Sequence, residues 1–175
     1  MGRARTRFVP AMGFVPQRLL LVIALLLLVG CDHATKHVAK GELEGKGPRD
    51  LIRGVLDLRY AENTDVAFNV LRAVPERVRV PLLAITGAVA VIGLLGVLLL
   101  RRGGTGFARA ALLLVTAGAV GNYLDRIVRG YVVDFVHVPH WPVFNVADAY
   151  VTVGAILLVW SALNARRQVT SPASS

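Results

Sequence analysis

The chain has 175 residues, 55% of them hydrophobic, with a mean hydropathy of +0.59 and a formal net charge of +9. Only 18% of its residues are charged, against roughly a quarter in soluble domains, which excludes an ordinary soluble domain and makes the number of bilayer crossings the first question. The basic surplus sits in acid-free stretches without interleaved aromatics, so it does not read as a nucleic-acid footprint.

Residues 1–16 carry Arg3, Arg5, Arg7, Pro10 and Pro16 and read as a cytoplasmic lead-in. A first span is expected at 17–39, since a crossing helix needs roughly 20 mainly apolar residues. Its end, Leu28-Val29-Gly30-Cys31, also fits the lipobox of a bacterial lipoprotein signal peptide, with Cys31 as the lipidated residue. The other reading is a Leu-rich spanning helix closed by small residues, and three further spans favour it. A single cysteine excludes an internal disulfide and a cysteine-based metal cluster. Asp32 and Lys36 have the i,i+4 spacing of a helical ion pair with the acid first. With Thr35 they fall roughly on one face, either as a polar patch holding the outer end of the helix or as a part of the chemistry. His33 and His37 have a spacing that could chelate a metal. No acid or third histidine completes that motif, so all four histidines are read as headgroup-level polar residues, and no metal or cofactor is expected.

A turn is expected at 41–48 from its glycines and charges. Residues 55–60 alternate like a short strand outside the membrane. The stretch 63–71 becomes amphipathic, and a segment on the membrane surface would dip Phe68, Val70 and Leu71 into lipid. Pro75 and Pro81 bracket the start of a second span at 80–100. The turn at 101–106 leads to a third span at 107–124. Gly87, Gly93 and Gly96 in one, and alanines with Gly118 in the other, permit close helix packing. Residues 131–138 are β-like and can pair with the earlier strand. Pro139 and Pro142 end them, and Trp141, Phe144 and Tyr150 mark an interface. A fourth span at 144–163 is followed by Arg166 and Arg167 and a flexible tail at 169–175.

The expected fold is thus an all-α polytopic membrane protein. It has four transmembrane helices, a small extracytoplasmic β-containing region and a surface amphipathic segment, with residues 17–168 as one membrane-embedded domain. Arg3, Arg5, Arg7, Arg18, Arg101, Arg102, Arg109, Arg166 and Arg167 fall in regions without acids, while every acid lies in the other two loops or at helix ends facing them. The positive-inside rule then puts both termini in the cytoplasm.

Residues 121–148 hold Asp125, Asp134 and Asp148 between two apolar runs, and acids beside or inside a membrane are functional candidates. Asn145 three residues before Asp148 looks like a helix cap with an acid in the first turn, and Asp125 beside Arg126 like a structural pair. The functional alternative is an aspartyl dyad. Two neighbouring carboxylates cannot both ionise, so one keeps a proton, polarising a peptide carbonyl while the other activates water.

The motifs Asp32-x-x-Thr35-Lys36, Asn63-x-x-x-Ala67-Phe68, Gly121-Asn122-x-x-Asp125-Arg126, Val133-Asp134-Phe135 and Phe144-Asn145-x-Ala147-Asp148 occur in this order from the first span to the fourth. Together they resemble the lipoprotein signal peptidase (signal peptidase II) family of bacterial membrane proteases. The resemblance implies Asp134 and Asp148 as catalytic aspartates, with Asn63, Asn122, Arg126 and Asn145 lining the site and Asp32 supporting it. Lys36 and Asp125 join that support. It further implies a diacylglyceryl-modified prolipoprotein substrate, cut before its lipidated cysteine, at the extracytoplasmic face of the bacterial inner membrane. Membrane lipid and substrate are the expected partners, without nucleic acid, for a monomeric enzyme. Two departures stand out: Asp65 replaces the family's usual glycine, and the stretch from Asp134 to Asp148 is short. The competing reading is a non-enzymatic small membrane protein, a transporter subunit or binding partner, whose acids only cap helices and pair with arginines.

Overall fold

The computed structural model describes residues 16–64, 75–101 and 105–170. The order is α1 (Gln17–Leu43), β1 (Arg49–Ile52), β2 (Leu56–Asn63), α2 (Glu76–Leu100), α3 (Gly106–Arg129), β3 (Val132–His137) and α4 (Val146–Thr170). All four helices are long and apolar enough to cross a membrane. At 1.5 Å per residue they measure about 36 to 41 Å, against roughly 30 Å of hydrocarbon, so their ends project into the interface.

The helix ends depart from the expected ones for identifiable reasons. α1 does not stop at residue 39 but runs unbroken through Cys31 to Leu43. Asp32 and Lys36 pair within it, and Ala39 and Leu43 are buried against the sheet, so its polar outer end stays helical. The turn therefore starts at Glu44, and Gly45 takes the left-handed conformation. α2 starts at Glu76, ahead of the expected residue 80, and holds Pro81 inside. A proline at this sixth helical position forgoes the bond to the Arg77 carbonyl and crowds it, which spanning helices tolerate because local adjustments satisfy the freed group. α3 continues to Arg129 and closes on Gly130, whose φ of 81° suits a glycine C-cap. α4 opens at Val146 and includes residues 169 and 170, which were expected in the tail.

The strand expected at 55–60 is β2, and it pairs antiparallel with β3. β1 was not anticipated; it pairs antiparallel with β2 and completes a sheet of order β1-β2-β3. The surface segment expected at 63–71 lies, from Asp65 onward, outside the described residues.

α3 packs most extensively on α4 and also contacts α1 and α2. Of the glycines expected to permit close packing, Gly118 does so: a Cβ there would meet the Ala147 carbonyl and lie 2.7 Å from Val151 Cγ2. Gly87 does so against the Tyr123 ring, whereas Gly93 and Gly96 have no such neighbour within 4 Å. Ile85, Val89 and Ile92 of α2 are exposed, as befits lipid-facing residues. The apolar core lies at one end, where Ala39 and Leu43 of α1 meet Val133 and Phe135 of β3. At the other end Gln17, Arg18, Leu98, Arg101 and Arg109 line a common cleft, so the start of α1, the end of α2 and the start of α3 form a basic pole.

Candidate active site

Side chains alternate across a strand. In β3, Val133 and Phe135 enter the core against α1, and Asp134 therefore faces the other way. The β2–β3 register sets Ala61 opposite Asp134 and Asn63 opposite Val132, after an irregularity between Leu58 and Ala61. Asn63 is thereby brought beside Asp134, and its Nδ2 donates to Asp134 Oδ2 at 2.8 Å.

After β3 the chain turns at 138–143 and returns, so that Phe144 pairs with Val136. The Val136 amide donates to the Phe144 carbonyl at 2.8 Å, and the Phe144 amide to the Val136 carbonyl at 2.9 Å. This return places Asn145 against Asp134, where its Nδ2 donates to Asp134 Oδ1 at 2.6 Å. Asn145 also caps α4. Its Oδ1 accepts from the Asp148 amide at 3.0 Å, and Asp148 Oδ2 accepts from the Asn145 amide at 3.1 Å. That reciprocal pair is a capping box, so the cap expected from the sequence is present.

Asp148 Oδ1 accepts from Asn122 Nδ2 at 2.7 Å, and Asn122 Oδ1 accepts from Asn145 Nδ2 at 3.1 Å. Asp134 and Asp148 are therefore bridged by two asparagine amides. Asp134 is 2% exposed, and Asp148 is half-buried. Burial pushes the Asp134 carboxyl up to about 6. The neighbouring Asp148 charge pushes the same way, against the Asn63 and Asn145 hydrogen bonds and Lys36.

Behind this pair lies a buried charge cluster. Lys36 is fully buried, and its Nζ lies 2.8 Å from Asp32 Oδ2 and 2.8 Å from Asp125 Oδ2. It also donates to Asn122 Oδ1 at 3.0 Å. Asp32 Oδ1 accepts from the Ala147 amide at 2.9 Å, satisfying a free N–H of the α4 first turn from another helix. Asp125 is bonded by Arg129 one turn on, and His33 Nε2 lies 3.7 Å from it.

The nine expected site residues fall in one region, but two groupings differ from the sequence reading. Asp125 pairs with Arg129 and Lys36, while Arg126 donates to the Asn122 carbonyl at 3.1 Å. At i,i+4 the arginine overlies the acid, which the adjacent position does not. Thr35 is turned onto its own helix, donating to the Asp32 carbonyl at 2.7 Å, and so stands apart from the Asp32–Lys36 face. The roles of Arg129 and Phe144 were not foreseen. Arg129 was readable from its spacing to Asp125, whereas nothing local marks Phe144 as a strand partner. His33 is half-buried beside the cluster and His37 is exposed. Among the described residues no three His, Cys, Asp or Glu side chains are grouped to hold a metal ion. A cleft of about 180 Å³ between α2 and α3 is lined by Leu83, Gly87, Ala119, Asn122, Tyr123 and Arg126. It therefore reaches one of the two bridging asparagines.

A family model described as "Signal peptidase (SPase) II" matches residues 23–164. A lipoprotein signal peptidase of Ectopseudomonas mendocina is 39% identical over 144 residues, covering 79% of this chain and 83% of the relative. One of Streptococcus pyogenes serotype M6 is 36% identical over 148 residues, covering 80% of this chain and 90% of the relative. A solved bacterial membrane enzyme superposes with a TM-score of 0.73 at 23% identity, over 89% of this chain and 94% of its own; that likeness speaks for the fold alone. The non-enzymatic reading is not favoured by these relatives. With its four apolar helices and a match that reaches from within α1 to within α4, the chain is a multi-pass membrane protein and belongs to the signal peptidase II family of peptidases.

Proposed function

We propose that the chain is an aspartic-type endopeptidase that removes signal peptides from diacylglyceryl-modified prolipoproteins, cutting before the lipidated cysteine. The observation that carries this reading is the pair of amide bridges from Asp134 through Asn145 and Asn122 to Asp148. Two carboxylates tied into one hydrogen-bonded unit can divide the work of an acid and a base between them. Asp134, the more buried and with its carboxyl raised to about 6, keeps the shared proton and polarises the scissile carbonyl. Asp148, open on one side, takes a proton from the attacking water. The proton on Asp134 passes to the leaving amine as the tetrahedral intermediate collapses.

Residues 17–168 act as one membrane-embedded unit between a cytoplasmic lead and a short tail. The basic pole faces the cytoplasm, and the aspartates act at the outer surface of the inner membrane, where a lipidated cysteine would stand beside its bilayer. The enzyme works as a monomer among membrane lipids.

The test is cleavage of a diacylglyceryl prolipoprotein by the purified protein in detergent. Asp134→Asn and Asp148→Asn should each lower the rate by at least about 10⁴-fold, the scale seen when a member of a catalytic unit is removed, while the protein remains folded in membranes. An Asp134→Asn enzyme that processes substrate at the parent rate would sink the dyad, and the pair of Asp125 with Asp148 would be next to test.

A further inference from the structure

The bridging amides could in principle face either way, because an asparagine presents an oxygen on one side and an NH₂ on the other. Their neighbours decide it. Asn122 Oδ1 lies 3.0 Å from Lys36 Nζ, and an ammonium can only donate. The oxygen of Asn122 is thus held toward α1, and its Nδ2 is turned to Asp148 Oδ1 at 2.7 Å. Asn145 is fixed independently, because its Oδ1 accepts from the Asp148 backbone amide. Its two Nδ2 protons then go to Asn122 Oδ1 and to Asp134 Oδ1. Among the described residues, Lys36 is the side-chain cation bonded to this chain of amides, and it holds Asn122 Oδ1 together with Asn145 Nδ2. If Asn122 turned over, an amide oxygen would face the Asp148 carboxylate and an NH₂ would face a lysine.

We propose that Lys36 is a positioning residue for the cleavage reaction. It acts through the Asn122 amide to keep an N–H, and not an oxygen, on the Asp148 carboxylate. This inference rests on the reading of Asp134 and Asp148 as the catalytic pair. Lys36 does not touch substrate; it is fully buried, with Asp32, Asp125 and Asn122 around its ammonium group. The ordinary alternative is that it only neutralises two buried acids, since an unpaired buried charge is strongly destabilising.

The two roles separate when charge is held constant and only the donor is changed. Asp32, Asp125, Lys36 and Arg129 form two acids and two bases in contact. The double variants Lys36→Gln with Asp32→Asn, and Lys36→Met with Asp32→Asn, each remove one acid and one base and leave Asp125 paired with Arg129. Gln and Met are close in volume and differ in that Gln can still donate to Asn122 Oδ1 after a small shift. Both are assayed on a diacylglyceryl prolipoprotein in detergent, alongside their thermal unfolding and the parent enzyme. The Gln variant is expected to lose part of the parent's kcat, since both substituted residues border the site, but to retain far more of it than the Met variant. The Met variant is expected to lose kcat on the order of a hundredfold with KM unchanged within about threefold, as for a misaligned catalytic group. Equal kcat in the two variants, at whatever level, would overturn the proposal, as would a loss in the Met variant confined to KM. Inactivity of the parent protein would instead overturn the reading of the function, so the two failures are distinguishable.

Discussion

Asp134 shows how one residue acquires a chemical bias from its place in a strand. Its neighbours Val133 and Phe135 are apolar and buried, so the alternation that anchors β3 also carries the carboxyl into a nearly dry site. Burial and the Asp148 charge lift its carboxyl to about 6, against two amide donors. The carboxyl thus keeps its proton below about pH 6 and releases it above. If that proton is the one that polarises the substrate, kcat/KM should fall with a one-proton slope once the pH passes about 6. A profile flat from pH 6 to pH 9 would rule Asp134 out as the proton carrier. Asp57, on β2, is biased the other way. Arg59 donates to it at 2.7 Å and His137 lies 2.8 Å away, and these hold its carboxyl down at about 2. A depressed carboxyl adds stability above its ordinary value of 3.8, and that stability is lost as the pH falls toward 2. Asp57→Asn should therefore lower the thermal midpoint at neutral pH, with the difference from the parent shrinking on acidification below about 4; a difference independent of pH would show that the Asp57 charge is not involved. The acids of 121–148 were legible as candidates from residue type and place, Asn145 as a helix cap from its spacing to Asp148, and the lining asparagines from the family resemblance. Their pairings were less so: Asp125 takes Arg129 at i,i+4 and not its neighbour Arg126, because helix geometry, and not adjacency, decides which side chains meet.

At the scale of elements, close approach does the positioning. Gly121 of α3 lies so near α1 that an added Cβ would sit 2.6 Å from Asp32 Oδ2. Asp32 in turn holds the Ala147 amide of α4 and pairs with Lys36, so three helices are registered at this point. Gly121→Ala should force Asp32 off one partner and destabilise the protein by roughly 1–3 kcal/mol, the usual cost of overpacking. Gly93→Ala makes the comparison, since nothing lies within 4 Å of its would-be Cβ. In a helix interior it should leave stability unchanged or raise it by about 0.5–1 kcal/mol. Thermal unfolding in detergent reads both, and equal effects would mean that the α1–α3 contact is not the constraint described. The four spans were legible because each is a long apolar run. The outer turns of α1 were not, since Gly41 and the charges around it read as a loop; the sheet that buries Ala39 and Leu43 keeps them helical. β1 escaped notice because it has only four residues, all exposed, and gains its structure from pairing with β2.

For the whole molecule, charge and chemistry are segregated to opposite poles. Gln17, Arg18, Arg101 and Arg109 share one end, and the sheet, the buried cluster and the two bridged aspartates share the other. This polarity was visible in the sequence, since acid-free basic stretches alternate with the loops and adjoining helix ends that hold every acid. The meeting of Asp134 with Asp148 was not, because it depends on the return of Phe144 onto β3 and on two amides that only the fold aligns. The polarity has a consequence that labelling can read. Arginines flanking spans are retained on the cytoplasmic side, so the pole with Gln17 should be inside and the pole with Lys46 outside, both residues being exposed. In a Cys31→Ser background, expressed in a host whose outer envelope has been stripped, a membrane-impermeant thiol reagent should modify Lys46→Cys. It should reach Gln17→Cys only after the inner membrane is breached as well. The reverse pattern would place the aspartates on the cytoplasmic side, and the proposed cleavage at the outer face would fail with the orientation.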